Sequence, residues 1–131
     1  MVKERIVTTW DDTEQSVLRI DFYPFWDWDD YDSAVLETAR LLSDHPNAAR
    51  VPFINIYHHG AKLPMGNAVQ HVSFMVDVLP NNVIVMVCDE EIRSELTSFI
   101  KLFGYEVGVN YFDAASLEHA RTIITNLINT D

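Results

Sequence analysis

The residues able to do chemistry in this 131-residue chain gather at the ends of two apolar runs. His58 and His59 follow the run at 51–57 (VPFINIY), with Lys62 just beyond, and Cys88 and Asp89 end the run at 83–88 (VIVMVC). Cysteine, histidine and aspartate at one edge could supply a nucleophile, a base and an orienting carboxylate. Each also has a plainer role: Cys88 continues a buried run as a small hydrophobe, and Asp89 stands where a helix needs a cap. His58, His59 and His71 could suggest zinc or nickel. Adjacent histidines on an extended segment point opposite ways, however, and no further ligand has helpful spacing, so no metal and no cofactor are expected. The acidic stretch WDWDDYD at 26–32 could open a calcium loop through Asp27, Asp29 and Asp32. It fails further on, with Asp32 where such a loop needs glycine and Thr38 where it needs a bidentate glutamate. Carboxylates at a helix start, anchored by Trp26 and Trp28, account for it more simply.

Composition excludes several classes. Nine Lys and Arg stand against 20 Asp and Glu, a formal net charge of -11, which argues against nucleic acid and anionic membranes as partners. One cysteine excludes an intrachain disulfide and every multi-cysteine metal pattern. The four glycines, at 60, 66, 104 and 108, are too few and wrongly spaced for either common phosphate-binding loop. Residues 1–10 lack the apolar core of a secretory leader, so a cytoplasmic protein forming a single domain over 1–131 is expected.

These residues must be positioned by regular elements. Strands are expected at 4–9 and 16–23, joined through the polar turn of Asp11, Asp12, Thr13 and Glu14 as an antiparallel hairpin. Pro24 ends the second strand and Asp27 caps a helix from Trp28 to about Ser43, with Tyr31, Ala34, Val35, Thr38 and Leu42 on its buried stripe. A strand at 51–57 follows, then a helix at 67–79 with Val69, Val72, Met75, Val76 and Leu79 inward, and a central strand at 83–88. The third helix begins after Asp89 and buries Ile92, Leu96, Phe99, Ile100 and Phe103. A last strand is expected at 107–112, and a last helix capped by Asp113 or Ser116. The order β-β-α-β-α-β-α-β-α makes this an α/β chain with a mostly parallel five-stranded sheet, its first strand antiparallel at one edge.

Two strands are not apolar on both faces, as strands between two helix layers should be. Helices mainly on one face are therefore expected, leaving the other partly open. That open face is expected to carry Tyr23, Phe53 and Tyr57 near Arg19, Asp21 and Asn55, covered by the N-terminal strand, a loop or Trp10, or used for self-association. The strand ends should gather Tyr57, His58, His59, Lys62, Cys88, Asp89 and Asp113.

This element order resembles the STAS domain, the fold of bacterial anti-sigma-factor antagonists, over nearly the whole chain. The turn at Trp10, Asp11 and Asp12, the helix start at Trp26, Asp27 and Trp28, and SLEHA at 116–120 resemble small uncharacterised bacterial STAS-like proteins. In phosphoregulated members a Ser or Thr precedes the helix after the central strand. The matching stretch here, 58–67 (HHGAKLPMGN), contains neither, so the resemblance implies a domain without that switch.

The expected function is non-enzymatic contact with another protein, as a homodimer or as the partner of a regulatory protein. An alternative is a binder of a small apolar or amphipathic molecule between helix layer and strand ends, for which a closed pocket of several hundred Å³ would speak. The remote alternative is a small enzyme using His58, His59, Lys62 and Cys88, which requires a histidine within hydrogen-bond reach of Cys88 or a carboxylate. The charge excess itself does not point to a cationic partner. Asp27, Asp29, Asp30, Asp32, Asp89, Glu90, Glu91 and Asp113 fall at expected helix starts, and Asp11, Asp12 and Glu14 in one turn.

Overall fold

Asp12 closes the first turn, its carboxylate accepting from the backbone N–H of Ser16 and Val17 and from the Ser16 hydroxyl. This joins β1 (Ile6–Trp10) to β2 (Leu18–Phe22) as an antiparallel pair. The structure is a computed structural model that describes residues 4–129, so the outermost residues of the expected 1–131 domain, and of the segment read for a leader, lie outside the described ones. Next, Asp27 and Asp30 form a reciprocal capping box at the start of α1 (Trp28–Leu42), the carboxylate of each accepting from the other's backbone N–H. Two further strands and helices follow, β3 (Phe53–Tyr57), α2 (Ala68–Val78), β4 (Ile84–Val87) and α3 (Glu90–Lys101). The chain closes with β5 (Tyr111–Ala114) and α4 (Leu117–Asn129), and Ser116 caps α4 by accepting from the N–H of His119.

The strands lie in the order β1-β2-β3-β4-β5. β2 through β5 pair in parallel while β1 is antiparallel to β2, so the sheet is mixed. Each crossover from β2 to β5 advances one strand in the same direction. With a common handedness, α1, α2 and α3 must then share one face. Val35 and Leu42 of α1, Val72 and Met75 of α2 and Leu96 of α3 indeed share one core with Leu18, Phe22, Phe53, Ile84 and Met86. α4, after the last strand of the sheet, folds over the other face and packs Ala120 and Ile124 on Ile54, Ile56, Val85 and Ala114. It reaches β3, β4 and β5. Over β1 and β2 that face stays open.

The expected composition of the open face is corrected by strand register. Leu18 lies beside Phe53, Ile20 beside Asn55 and Phe22 beside Tyr57, which puts Phe53, Asn55 and Tyr57 under the three helices. Alternation within a strand says which residues share a face, but a one-residue change of register decides which face that is. Arg19 and Asp21 do lie on the open side, with Ile54 and Ile56 as their β3 neighbours. Trp10 packs into the three-helix side and stacks on His45, so it does not cover the open face.

Smaller corrections concern the third and fifth strands' neighbours. Val69 and Val76 of α2 point outward, and only Val72, Met75 and Leu79 of the expected stripe are buried. The last strand starts at Tyr111 rather than 107, because Gly108 at φ +86° turns the chain and Asn110 Oδ1 accepts from the N–H of Glu106. Asp113 consequently sits inside β5 and caps nothing. Asp89 precedes α3 without a side-chain capping bond.

Asn82 ties the entries of β3 and β4 together. It is buried, and its Nδ2 donates to the carbonyls of Ala48 (2.7 Å) and Val51 (2.5 Å). Asn82→Ala removes the side-chain donor from both carbonyls, of which that of Ala48 keeps the Val51 N–H, and urea denaturation is expected to show a loss of about 1–2 kcal/mol.

Candidate functional site at the strand ends

The carboxyl ends of β2, β3 and β4 put Tyr23, His58, His59, Cys88 and Asp89 at one edge of the sheet. Their side chains then part. His58 turns to the open face, where its Nε2 lies 2.7 Å from Oδ1 of Asp21 and its ring stacks on Tyr23 with centroids 4.5 Å apart. Asp21 is itself buried and accepts two bonds from Arg19, at 2.9 and 3.1 Å. A buried carboxylate is tolerated only when so partnered, so Arg19 and His58 keep Asp21 satisfied beside the open sheet.

His59 turns elsewhere. Its Nδ1 lies 2.8 Å from Oδ2 of Asp89, and the pair lines a shallow cleft of about 200 Å³ with Lys62 and Glu91. His71 is further away on α2, bonded to Asp32 at 2.8 Å and stacked on Trp28. The three histidines therefore serve three separate carboxylates. No group of three or more metal-ligating side chains occurs among the described residues.

Of the edge expected from sequence, His59, Lys62 and Asp89 come together. Tyr57 does not join them. It is buried and stacks on Phe22 at 4.2 Å, and burial pushes its hydroxyl well above the ordinary value. Cys88 packs against the three-helix core. Its thiol is pushed up chiefly by burial, with Asp113, Asp89 and Glu90 adding to the effect and Arg93 opposing it. A nucleophilic cysteine needs the reverse. Both His58 and His59 meet the geometric condition of a histidine beside a carboxylate. The cleft at His59 also holds Lys62 and carries no cysteine, serine or threonine in its lining.

The sequence reading missed what the neighbouring loops present. Phe25, between β2 and α1, is 87% exposed and adopts φ +70°, a left-handed conformation that is costly for a residue with a side chain. Met65, between β3 and α2, is 97% exposed. The two loops lie against each other, since a Cβ on Gly60 would stand 3.5 Å from Pro24 and one on Gly66 3.3 Å from Trp28. An apolar residue inserted between a strand-ending proline and a helix cap was the available signal for Phe25.

A second missed feature is on the helix side. Asn55, in the middle of β3 and partly buried, lines two small hollows under the helix layer, and its Oδ1 meets no donor among the described residues. Comparison of the chain with protein-family models, with curated proteins and with solved structures finds no match.

Two measurements check this geometry. A disulfide reagent is expected to label Cys88 at least about tenfold more slowly than free cysteine at pH 8, with the rate rising only at higher pH, because a raised pKa leaves less thiolate. Asp21→Ala leaves Arg19 and His58 without their carboxylate, and the unfolding free energy should fall by about 1–2 kcal/mol.

Proposed function

We propose that this chain is a STAS-like domain that works without catalysis, by docking a partner protein on the strand-end loops. The element order and the gathering of α1, α2 and α3 on one face support the STAS-like part of this reading. The docking part is carried by Phe25, an aromatic side chain held out into solvent on a left-handed backbone. Strain of that kind persists only where the surrounding structure enforces it, and it concentrates where a side chain must be presented. Met65 on the adjoining loop adds a second exposed apolar contact, and such pairs at the centre of a polar rim are typical of anchoring residues.

The partner is a different protein rather than a second copy. The starts of α1 and α3 bring Asp27, Asp29, Asp30, Asp89, Glu90 and Glu91 to this end of the sheet. A two-fold contact through the loops would set one acidic rim against another, which is unfavourable. A neutral or basic rim around an apolar socket fits instead. The loop also lacks any Ser or Thr between His58 and Asn67, so a hydroxyl phosphoswitch has no acceptor there.

A photo-crosslinking residue placed at position 25 in the native host tests this reading. One protein partner should crosslink to the wild-type background and be lost in Met65→Asp. Crosslinking only to a second copy, or to nothing above background, overturns it. Phe25→Gly separates docking from folding. It should raise stability by roughly 0.5–1 kcal/mol through relief of the positive φ, and at the same time weaken partner capture.

A further inference from the structure

The two edges of the sheet are finished differently. At β5, Tyr111 donates its N–H to the carbonyl of Glu106 (3.2 Å) and accepts from the N–H of Gly108 (2.9 Å), so the chain's own turn closes that edge at Tyr111. β1 has no such cover. Tyr23 donates its N–H to the carbonyl of Arg5 and Asp11 to that of Val17, both at 2.8 Å, which makes positions 5, 7, 9 and 11 the ones bonded to β2. The N–H and carbonyl groups of Ile6, Thr8 and Trp10 therefore point away from the sheet, and no partner meets them among the described residues. The strand, IVTTW, also lacks the lysine or proline that usually protects an edge.

A groove of about 400 Å³ runs between this bare edge and α1. Ile6 and Thr8, on one face of β1, form one wall. The other is a single stripe of α1, where Ser33 and Ala34 are small and Asp30 and Glu37 stand at either end. Glu4 completes an acidic rim. Arg5, also beside the groove, is engaged with the carbonyl of Pro24 at 3.1 Å. Glu37 already holds the Arg40 guanidinium, with Nε at 2.9 Å, while Glu4 and Asp30 have no cationic partner among the described residues. Unpaired strand groups are satisfied by another extended backbone, and an acidic rim selects one that carries positive charge. A second copy fits poorly. Two β1 edges joined about a two-fold axis would set these rims against each other, in a chain of net charge -11.

We propose that β1 takes an extended, basic segment of a partner protein as a sixth strand of the sheet. Alternate side chains of that segment face the groove, because successive strand residues point to opposite sides. Lysine or arginine at those positions reaches Glu4, Asp30 and Glu37, and the small Ser33 and Ala34 leave room for the aliphatic stems. Main-chain bonds to Ile6, Thr8 and Trp10 supply affinity, and the acidic rim supplies the choice of segment. This edge does not depend on Phe25 and Met65 as docking residues.

Titration of the full chain with the peptide TVKVKVRT, and with TVEVEVET as its acidic counterpart, tests the site by NMR and amide hydrogen exchange. The basic peptide should bind saturably and slow exchange at Ile6, Thr8 and Trp10 by about tenfold or more, while Val7 and Thr9 change little. Thr8→Pro removes an outward N–H without touching the ladder to β2, and should abolish binding. Protection retained at Val7 and Thr9 shows that this variant is folded. Glu4→Lys combined with Glu37→Lys should weaken the basic peptide by about tenfold and admit the acidic one. Failure of the basic peptide to saturate, equal affinity in Thr8→Pro, or equal binding of both peptides to the wild type overturns the proposal. So does self-association that Thr8→Pro abolishes, since the occupant would then be a second copy. Met65→Asp should bind the basic peptide as the wild type does, so loss of loop docking and loss of strand addition are read separately.

Discussion

The register of β3 against β2 is the constraint on which the rest of the molecule depends. With Leu18 beside Phe53, the apolar side of β2 and the Phe53, Asn55 and Tyr57 side of β3 become one surface, and three helices close over it. The same register sends Arg19 and Asp21 to the opposite side, next to Ile54 and Ile56. Shifted by one residue, β3 would carry Asn55 to the open face and Ile54 beneath the helices. The hollows beside Asn55 and the partnered Asp21 both follow from this one alignment.

Two polar residues on neighbouring strands, Asp21 buried and Asn55 partly buried, are handled in different ways. Asp21 carries charge and is surrounded by donors from Arg19 and His58, because an unpaired carboxylate at that depth would be too costly. Asn55 carries none, and its Oδ1 has no donor. His58, His59 and His71 each turn to one carboxylate.

Much of the local architecture was legible in the residues. The capping role of Asp27, the stop at Pro24, the stripe of Val35, Thr38 and Leu42 and the antiparallel hairpin depend on neighbours within a few positions, and the structure has them as expected. Elements decided by a single backbone angle were harder. Gly108 reads as an ordinary small residue in an apolar segment, yet its positive φ moves the last strand by four residues and carries Asp113 from a supposed cap into the sheet. Asp89 looked equally like a cap and instead accepts from His59, a partner 30 residues away. The exposed faces of Val69 and Val76 belong to the same group, since periodicity alone does not say how wide a helix's buried stripe must be.

The sequence by itself determined the α/β order of elements, the hairpin at one edge, the lack of either common glycine-rich phosphate-loop motif and the absence of Ser and Thr between His58 and Asn67. These follow from residue types and short spacings, where the physics is local. Only the tertiary structure decided that Phe53, Asn55 and Tyr57 face the three helices, that His58 and His59 part to different carboxylates, and that Phe25 and Met65 stand out from adjoining loops. Those outcomes are set by how strands align and how loops pack. Alternation along one strand carries no information about the strand next to it until the hydrogen-bonded register is chosen.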